Sequence, residues 1–101
     1  MKNFILLLSF FCFSNYSFAQ NAGEIKGTIK DASSGETIIG ATVIISEGKG
    51  VITDIDGNYI LKIEQGNYTL TVSYVGYETV QQKVKVEGKS LIINFSLHIK
   101  T

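Results

Sequence analysis

Beyond the first twenty residues, apolar side chains recur at every second position and never at a sustained helical spacing. This period is typical of β-strands that bury one face, and turn-forming Gly and Asx residues interrupt it about every ten residues. The predicted inward residues are Ile25, Gly27, Ile29, Ala41, Val43, Ile45, Tyr59, Leu61, Ile63, Tyr68, Leu70, Val72, Tyr74, Val80, Val84, Val86, Leu91, Ile93, Phe95, Leu97 and Ile99. About six or seven short strands with one apolar face each must pack as two sheets, so the sequence predicts an all-β sandwich.

Two features of this pattern concern the edges of the sheets. Gly76 interrupts the alternation, which predicts a corner or a bulge at that position. The segment from Val80 to Val86 carries Lys83 and Lys85 on its outward side, where charge discourages pairing with another chain. We therefore expect this segment to be an edge strand.

The first nineteen residues have the organisation of a secretory signal. Lys2 precedes an apolar run from Phe4 to Phe13, and small residues stand three and one before a cut predicted after Ala19. The run is too short to cross a bilayer as a helix. The sequence thus predicts a signal peptide at residues 1–19 and one exported β-sandwich domain at residues 20–101, with no transmembrane segment in that domain.

The composition of the predicted domain excludes several kinds of site. Its disulfide content is expected to be nil, because the single cysteine, Cys12, lies in the signal. The whole chain has nine basic and nine acidic residues, and Lys2 also lies in the signal, so the domain carries no basic excess. Nucleic acid is therefore not an expected partner.

The stretch from Val51 to Leu61, VITDIDGNYIL, allows two interpretations. Asp54, Asp56 and Asn58 alternate as the first three oxygen ligands of a linear calcium loop do. Such a loop needs a glycine at its sixth position and a bidentate acid at its twelfth. Tyr59 occupies the sixth position, and the twelfth is not acidic. This spacing argues against a calcium site.

The Asp-Gly pair in the same stretch favours a turn. Asp-Gly between two alternating apolar runs is a strong hairpin signal, because glycine accepts positive φ without steric cost. We interpret Thr53, Asp54, Asp56 and Gly57 as a structural turn and expect no metal or other cofactor.

The order of several short motifs resembles the carboxypeptidase regulatory-like family. Gly40-Ala41 opens a strand, Thr53–Gly57 reads Thr-Asp-x-x-Gly, Gly66–Tyr68 reads Gly-x-Tyr, and Gly76-Tyr77 supplies a Gly-Tyr pair. The resemblance runs through nearly all of residues 20–101. It implies a transthyretin-like, Greek-key β-sandwich of about seven strands.

The motif VGYET at residues 75–79 narrows the resemblance to the amino-terminal extension of TonB-dependent outer-membrane receptors in Bacteroidetes-type bacteria. This implies an exported, periplasmic or outer-membrane-associated module of a Gram-negative bacterium, with a protein partner and a role in nutrient uptake. The module is expected to stand alone here or to be a truncated part of such a receptor. The alternative is a free-standing periplasmic or surface module that binds glycan or protein through its loops and one sheet edge. The candidate contact residues are Tyr77, Lys83 and Lys85.

Catalytic chemistry is not expected of this domain. Its only histidine is His98, whereas a zinc site of three protein ligands normally draws on several His or Cys residues. An isopeptide crosslink between lysine and asparagine would need both side chains in the core. Lys26, Lys30 and Asn94 instead alternate with the core positions and are expected to point outward.

Overall fold

The computed structural model describes residues 22–46 and 48–101. The strands in these residues are β1 (Ala22–Asp31), β2 (Thr42–Ile45), β3 (Gly50–Ile52), β4 (Asn58–Glu64), β5 (Gly66–Ser73), β6 (Val80–Val86), β7 (Ser90–Ile92) and β8 (Phe95–Leu97). The predicted signal peptide and its cleavage site lie outside the described residues. Within the described part of the chain, no helix is long and apolar enough to cross a membrane.

The strands form two sheets. In the first sheet, β1 pairs with antiparallel β4 on one side and with parallel β7 and β8. The second sheet has the order β3-β2-β5-β6 and is antiparallel throughout. The all-β sandwich predicted from the sequence is therefore confirmed, with eight strands in the described residues rather than six or seven.

The core consists of inward side chains from both sheets. The buried apolar residues are Ile25, Ile29, Ile38, Ala41, Val43, Ile45, Tyr59, Leu61, Ile63, Leu70, Val72, Val84, Val86, Phe95 and Leu97. Ile38 was not predicted, because it lies in a turn-rich segment without alternation. Ile99 was predicted inward and is exposed. It lies beyond β8, where the chain pairs with Tyr77 instead of continuing beside β1.

The last apolar run was predicted as one strand but is divided into β7 and β8. At the division, the Ile93 carbonyl accepts a hydrogen bond from the Tyr59 hydroxyl at 2.6 Å. The Asn94 side-chain oxygen accepts one from the Thr28 N–H at 2.8 Å. The Asn94 side chain therefore replaces a backbone carbonyl as the partner of β1 at the break. Strand β7 pairs with the first half of β1 and β8 with its last residues.

The segment after β8 joins the first sheet to the second. The Glu78 N–H donates to the His98 carbonyl at 2.8 Å, and the Lys100 N–H donates to the Gly76 carbonyl at 3.0 Å. Gly76 has φ of 87°, so the corner predicted there is present. The strands that pair on one side only include β4 in the first sheet, and β3 and β6 in the second.

The connections gather at the two ends of the sandwich. The upper end holds the β1–β2, β3–β4 and β5–β6 connections and the segment after β8. The lower end holds the β2–β3, β4–β5 and β6–β7 connections. This arrangement follows from the register, since Thr42 pairs with Ser73 near the upper end and Gly66 pairs with Val86 near the lower end.

Candidate interaction surface

Strand β6 is an edge of the second sheet, as the sequence predicted. It pairs with β5, and Lys83 and Lys85 are exposed on it. The Lys85 ammonium lies 3.4 Å from the Glu87 carboxylate, but both groups are mostly exposed, so this ion pair adds little stability. An open groove of about 480 Å³ runs beside the two lysines, with Ser46 and Asn67 in its lining. The strand therefore offers backbone groups beside a positively charged groove.

Tyr77, the third predicted contact residue, lies apart from that surface, and its hydroxyl and ring already have partners. Its hydroxyl donates a hydrogen bond of 2.6 Å to Asp31 Oδ2. Its half-buried ring lies 5.8 Å from the Tyr74 ring, tilted by 47°. Tyr77 lies at the upper end, whereas Lys85 pairs with Asn67 near the lower end. The structure therefore separates Tyr77 from the two lysines.

Asp31 is the polar residue that the sequence analysis missed. It is largely buried, and its Oδ1 accepts hydrogen bonds from the Ser33 and Ser34 N–H groups at 2.7 and 2.9 Å. The bond from the Tyr77 hydroxyl, followed by the one from Ser34, lowers the pKa of Asp31 below its ordinary value of 3.8. The same bond to Asp31 raises the pKa of Tyr77. The Asp-x-Ser-Ser pattern is the signal that could have predicted this local cap.

We expect Tyr77→Phe to weaken the acid dependence of stability. A carboxylate with a lowered pKa stabilises the fold above its ordinary pKa, and that contribution disappears as the pH falls through the folded-state value. Removal of the hydroxyl brings the Asp31 pKa closer to 3.8. Urea unfolding at several pH values between about 5 and 2 should therefore show a shallower loss of stability in the variant.

Tyr59→Phe is the matched control for this pH experiment. The Tyr59 hydroxyl donates to a backbone carbonyl, and burial raises the pKa of Tyr59 to about 12. Its removal should lower stability without changing the acid slope, because no carboxylate loses a partner. Equal acid slopes in the Tyr77→Phe variant and the unmodified protein would contradict the role given to this pair.

The turn at Thr53–Gly57 connects the two sheets. Strand β3 belongs to the second sheet and β4 to the first, so the predicted turn is present but does not close a hairpin between these strands. The Asp-Gly signal describes local backbone conformation, and it does not determine whether the flanking strands pair. Gly57 has φ of 77°, and its N–H donates to the Asp54 carbonyl at 2.9 Å.

Asp54 uses its carboxylate to hold the turn. Its Oδ1 accepts hydrogen bonds from the N–H groups of Asp56 and Asn58, each at 2.9 Å. The Asp-Gly pair predicts that the Asp56 carboxylate makes the local side-chain-to-backbone bond of this turn. That prediction is wrong, because the capping oxygen belongs to Asp54. Among the described residues, no group of three His, Cys, Asp or Glu side chains is placed to hold a metal ion.

Thr53 attaches the turn to the β1–β2 connection. Its buried hydroxyl donates to the Ile38 carbonyl at 2.7 Å and accepts from the Ala41 N–H at 2.9 Å. A threonine thus satisfies two buried backbone groups that no strand partner serves, which is the reason for a hydroxyl at this position.

Comparisons with known proteins agree with this architecture. A family model described as the CarboxypepD_reg-like domain matches residues 25–101. The TonB-dependent receptor SusC of Bacteroides thetaiotaomicron is 36% identical over 87 residues, which is 85% of this chain and 8% of that receptor. The TonB-dependent receptor P39 of Formosa agariphila is 40% identical over 91 residues, covering 88% of this chain and 8% of the receptor.

A similarity to solved structures concerns the fold alone. Chlorocatechol 1,2-dioxygenase from Pseudomonas putida superposes with a TM-score of 0.65 at 12% identity, over 82% of this chain and 63% of that one. The chain spans only 8% of the length of the two receptors. The family model nevertheless covers all strands from within β1 to the last residue, and the chain belongs to the carboxypeptidase regulatory-like domain family.

Proposed function

We propose that this chain is a non-catalytic interaction module of a TonB-dependent outer-membrane receptor and acts on its periplasmic side. The observation that carries the proposal is the identity of 36% and 40% to two such receptors over at least 85% of the chain. These relatives are more than ten times longer than the matched region, so their transport activity involves much more than this domain. In nutrient uptake by the receptor, the domain would serve to bind another protein.

The described side chains support a role in contact rather than in chemistry. His98 is exposed at the upper end, and only its backbone carbonyl has an assigned hydrogen bond. Asp31 accepts hydrogen bonds from the Tyr77 hydroxyl and from backbone N–H groups, so neither side chain is arranged as a free acid or base. A catalytic site normally combines such a group with a pocket and a polarising partner.

Strand β6 supplies a means of contact for this module. An edge strand can accept an additional strand from a partner through its unpaired backbone groups. The exposed ammonium groups of Lys83 and Lys85 would favour an acidic partner strand and disfavour uncontrolled pairing. For the alternative, a module that binds glycan, Tyr77 offers a half-buried ring whose hydroxyl is bonded to Asp31, which makes it a poor sugar-stacking residue.

We expect antibodies against residues 22–101 to detect a polypeptide of receptor size in the outer-membrane fraction of the native bacterium. The reason is the small share, 8%, that this domain represents in its receptor relatives. Cell fractionation and immunoblotting provide the measurement, and a strain lacking the gene provides the control. A single periplasmic band somewhat below the 11.1 kDa of the whole chain, as removal of the predicted signal would give, would instead support a free-standing module.

A further inference from the structure

The upper end of the sandwich exposes large aliphatic side chains, and the lower end does not. Each of its four segments presents one of them: Ile39, Ile55, Val75 and Ile99, exposed to 54%, 76%, 84% and 56%. The other large apolar residues that are exposed lie on strands. Within residues 22–46 and 48–101, the lower-end connections contribute none. Single exposed apolar residues are common, but their concentration at one end is typical of an interaction site.

Hydrogen bonds hold these four segments together as one surface. The Gly40 N–H donates to the Thr53 carbonyl at 3.1 Å, which links the β1–β2 and β3–β4 connections. Tyr77 links the β5–β6 connection to Asp31 at the end of β1. The Lys100 N–H binds the Gly76 carbonyl and attaches the last segment. An open groove of about 470 Å³ lies between three of the segments, with Gly40, Val75 and Lys100 in its lining.

The charge of the upper end has one predominant sign. Its exposed acidic residues are Glu36, Asp54, Asp56 and Glu78. The four segments contain one lysine, Lys100, and one histidine, His98, and no other basic residue. The described residues of the lower end mix both signs, with Lys49 and Lys89 against Glu87. Lys30, which pairs with Thr37 at the end of β1, adds one more positive charge, so the upper end is net negative.

We propose that the upper end binds a partner protein whose surface has an apolar centre and a rim of Lys or Arg residues. Such a surface would cover the aliphatic side chains and match the acidic rim. An anionic membrane surface would be repelled by the same acids. A second copy of this chain is a poor partner for the upper end. Contact between two upper ends would bring like charges together, and contact between an upper and a lower end would place the aliphatic side chains against the charged residues of the lower end.

The experiment uses the full chain in its native cell, with photo-reactive benzoylphenylalanine in place of Val75. Illumination should give an adduct with one protein. In the same chain, Glu36→Lys with Asp56→Lys should reduce adduct yield by about tenfold, because favourable ion pairs become repulsive. Glu64→Lys with Glu87→Lys makes the same charge change at the lower end and should leave the yield unchanged.

A second pair of variants tests the apolar part of the surface. Ile39→Ser should reduce the adduct yield by roughly fivefold, since burial of aliphatic surface is lost. Ile60 is exposed to the same 54% on the outer face of the first sheet, so Ile60→Ser is the matched control and should have no effect. Circular dichroism of each variant confirms that the fold is retained.

Several results would overturn the proposal. These are an adduct with lipid or with a second copy of the chain, no adduct, or a yield that the upper-end changes do not reduce more than the lower-end changes. The comparison of adduct yields between variants does not depend on whether the immunoblot shows a polypeptide of receptor size. The contact proposal can therefore be tested even if the receptor proposal fails.

Discussion

Gly27→Ala should destabilise the domain by about 3 kcal/mol or more, because an added methyl group has no space. A Cβ at this position would lie 1.9 Å from the Ile93 carbonyl oxygen and 2.7 Å from the Ile93 carbonyl carbon. The oxygen cannot move aside easily, since Tyr59 binds it and the Ile93 N–H binds the Lys26 carbonyl at 2.8 Å. Domains of about 80 residues have a total stability of roughly 4 to 12 kcal/mol, so a loss of about 3 kcal/mol removes roughly a quarter to three quarters of it.

Urea unfolding of the chain without its predicted signal, followed by circular dichroism, measures the effect of Gly27→Ala. Lys30→Ala serves as the control, because it places the same residue at an exposed position of the same strand. That change should cost no more than about 0.5 kcal/mol. A Gly27→Ala variant as stable as the control would show that the close approach of β1 to Ile93 is not rigid.

Gly57→Ala should lower the free energy of unfolding more than Gly35→Ala does, by about 1 to 3 kcal/mol. The two glycines have nearly the same backbone conformation, with φ of 77° and 78°. A side chain at either position costs about 1 kcal/mol for that conformation alone. A Cβ at Gly57 would also lie 2.6 Å from Thr37 Cβ and 3.0 Å from the Ile29 carbonyl oxygen, whereas Gly35 has nothing within 4 Å.

The difference between these two variants therefore isolates the steric contribution from the backbone contribution. Equal losses of stability, measured by the same urea titration, would mean that the neighbours of Gly57 move aside without cost. The sequence analysis expected Gly57 to matter through its turn conformation. The structure adds a second reason, because the turn packs against the end of β1 and the β1–β2 connection.

The residues of the core were largely predictable from alternation, and their contacts with distant residues were not. Gly27 was correctly placed among the inward positions, but the need for glycine comes from Ile93, which is far away in the sequence. The hydrogen bond of Tyr77 was not predicted, because its partner, Asp31, lies 46 residues earlier. Lys83 and Lys85 were correctly placed on an edge strand, since lysine on an outward strand face is a local signal.

The sequence by itself determined the strand content, the buried face of most strands, the turn at Thr53–Gly57 and the family motifs, because these depend on period and on local backbone preference. Only the tertiary structure decided that β3 and β4 lie in different sheets and that the last apolar run divides beside Tyr59. It also gathered four aliphatic side chains at the upper end. Distant segments pack together when they satisfy each other's buried polar groups and cover each other's apolar faces. The short-range pattern of residues does not indicate which distant segments will do so.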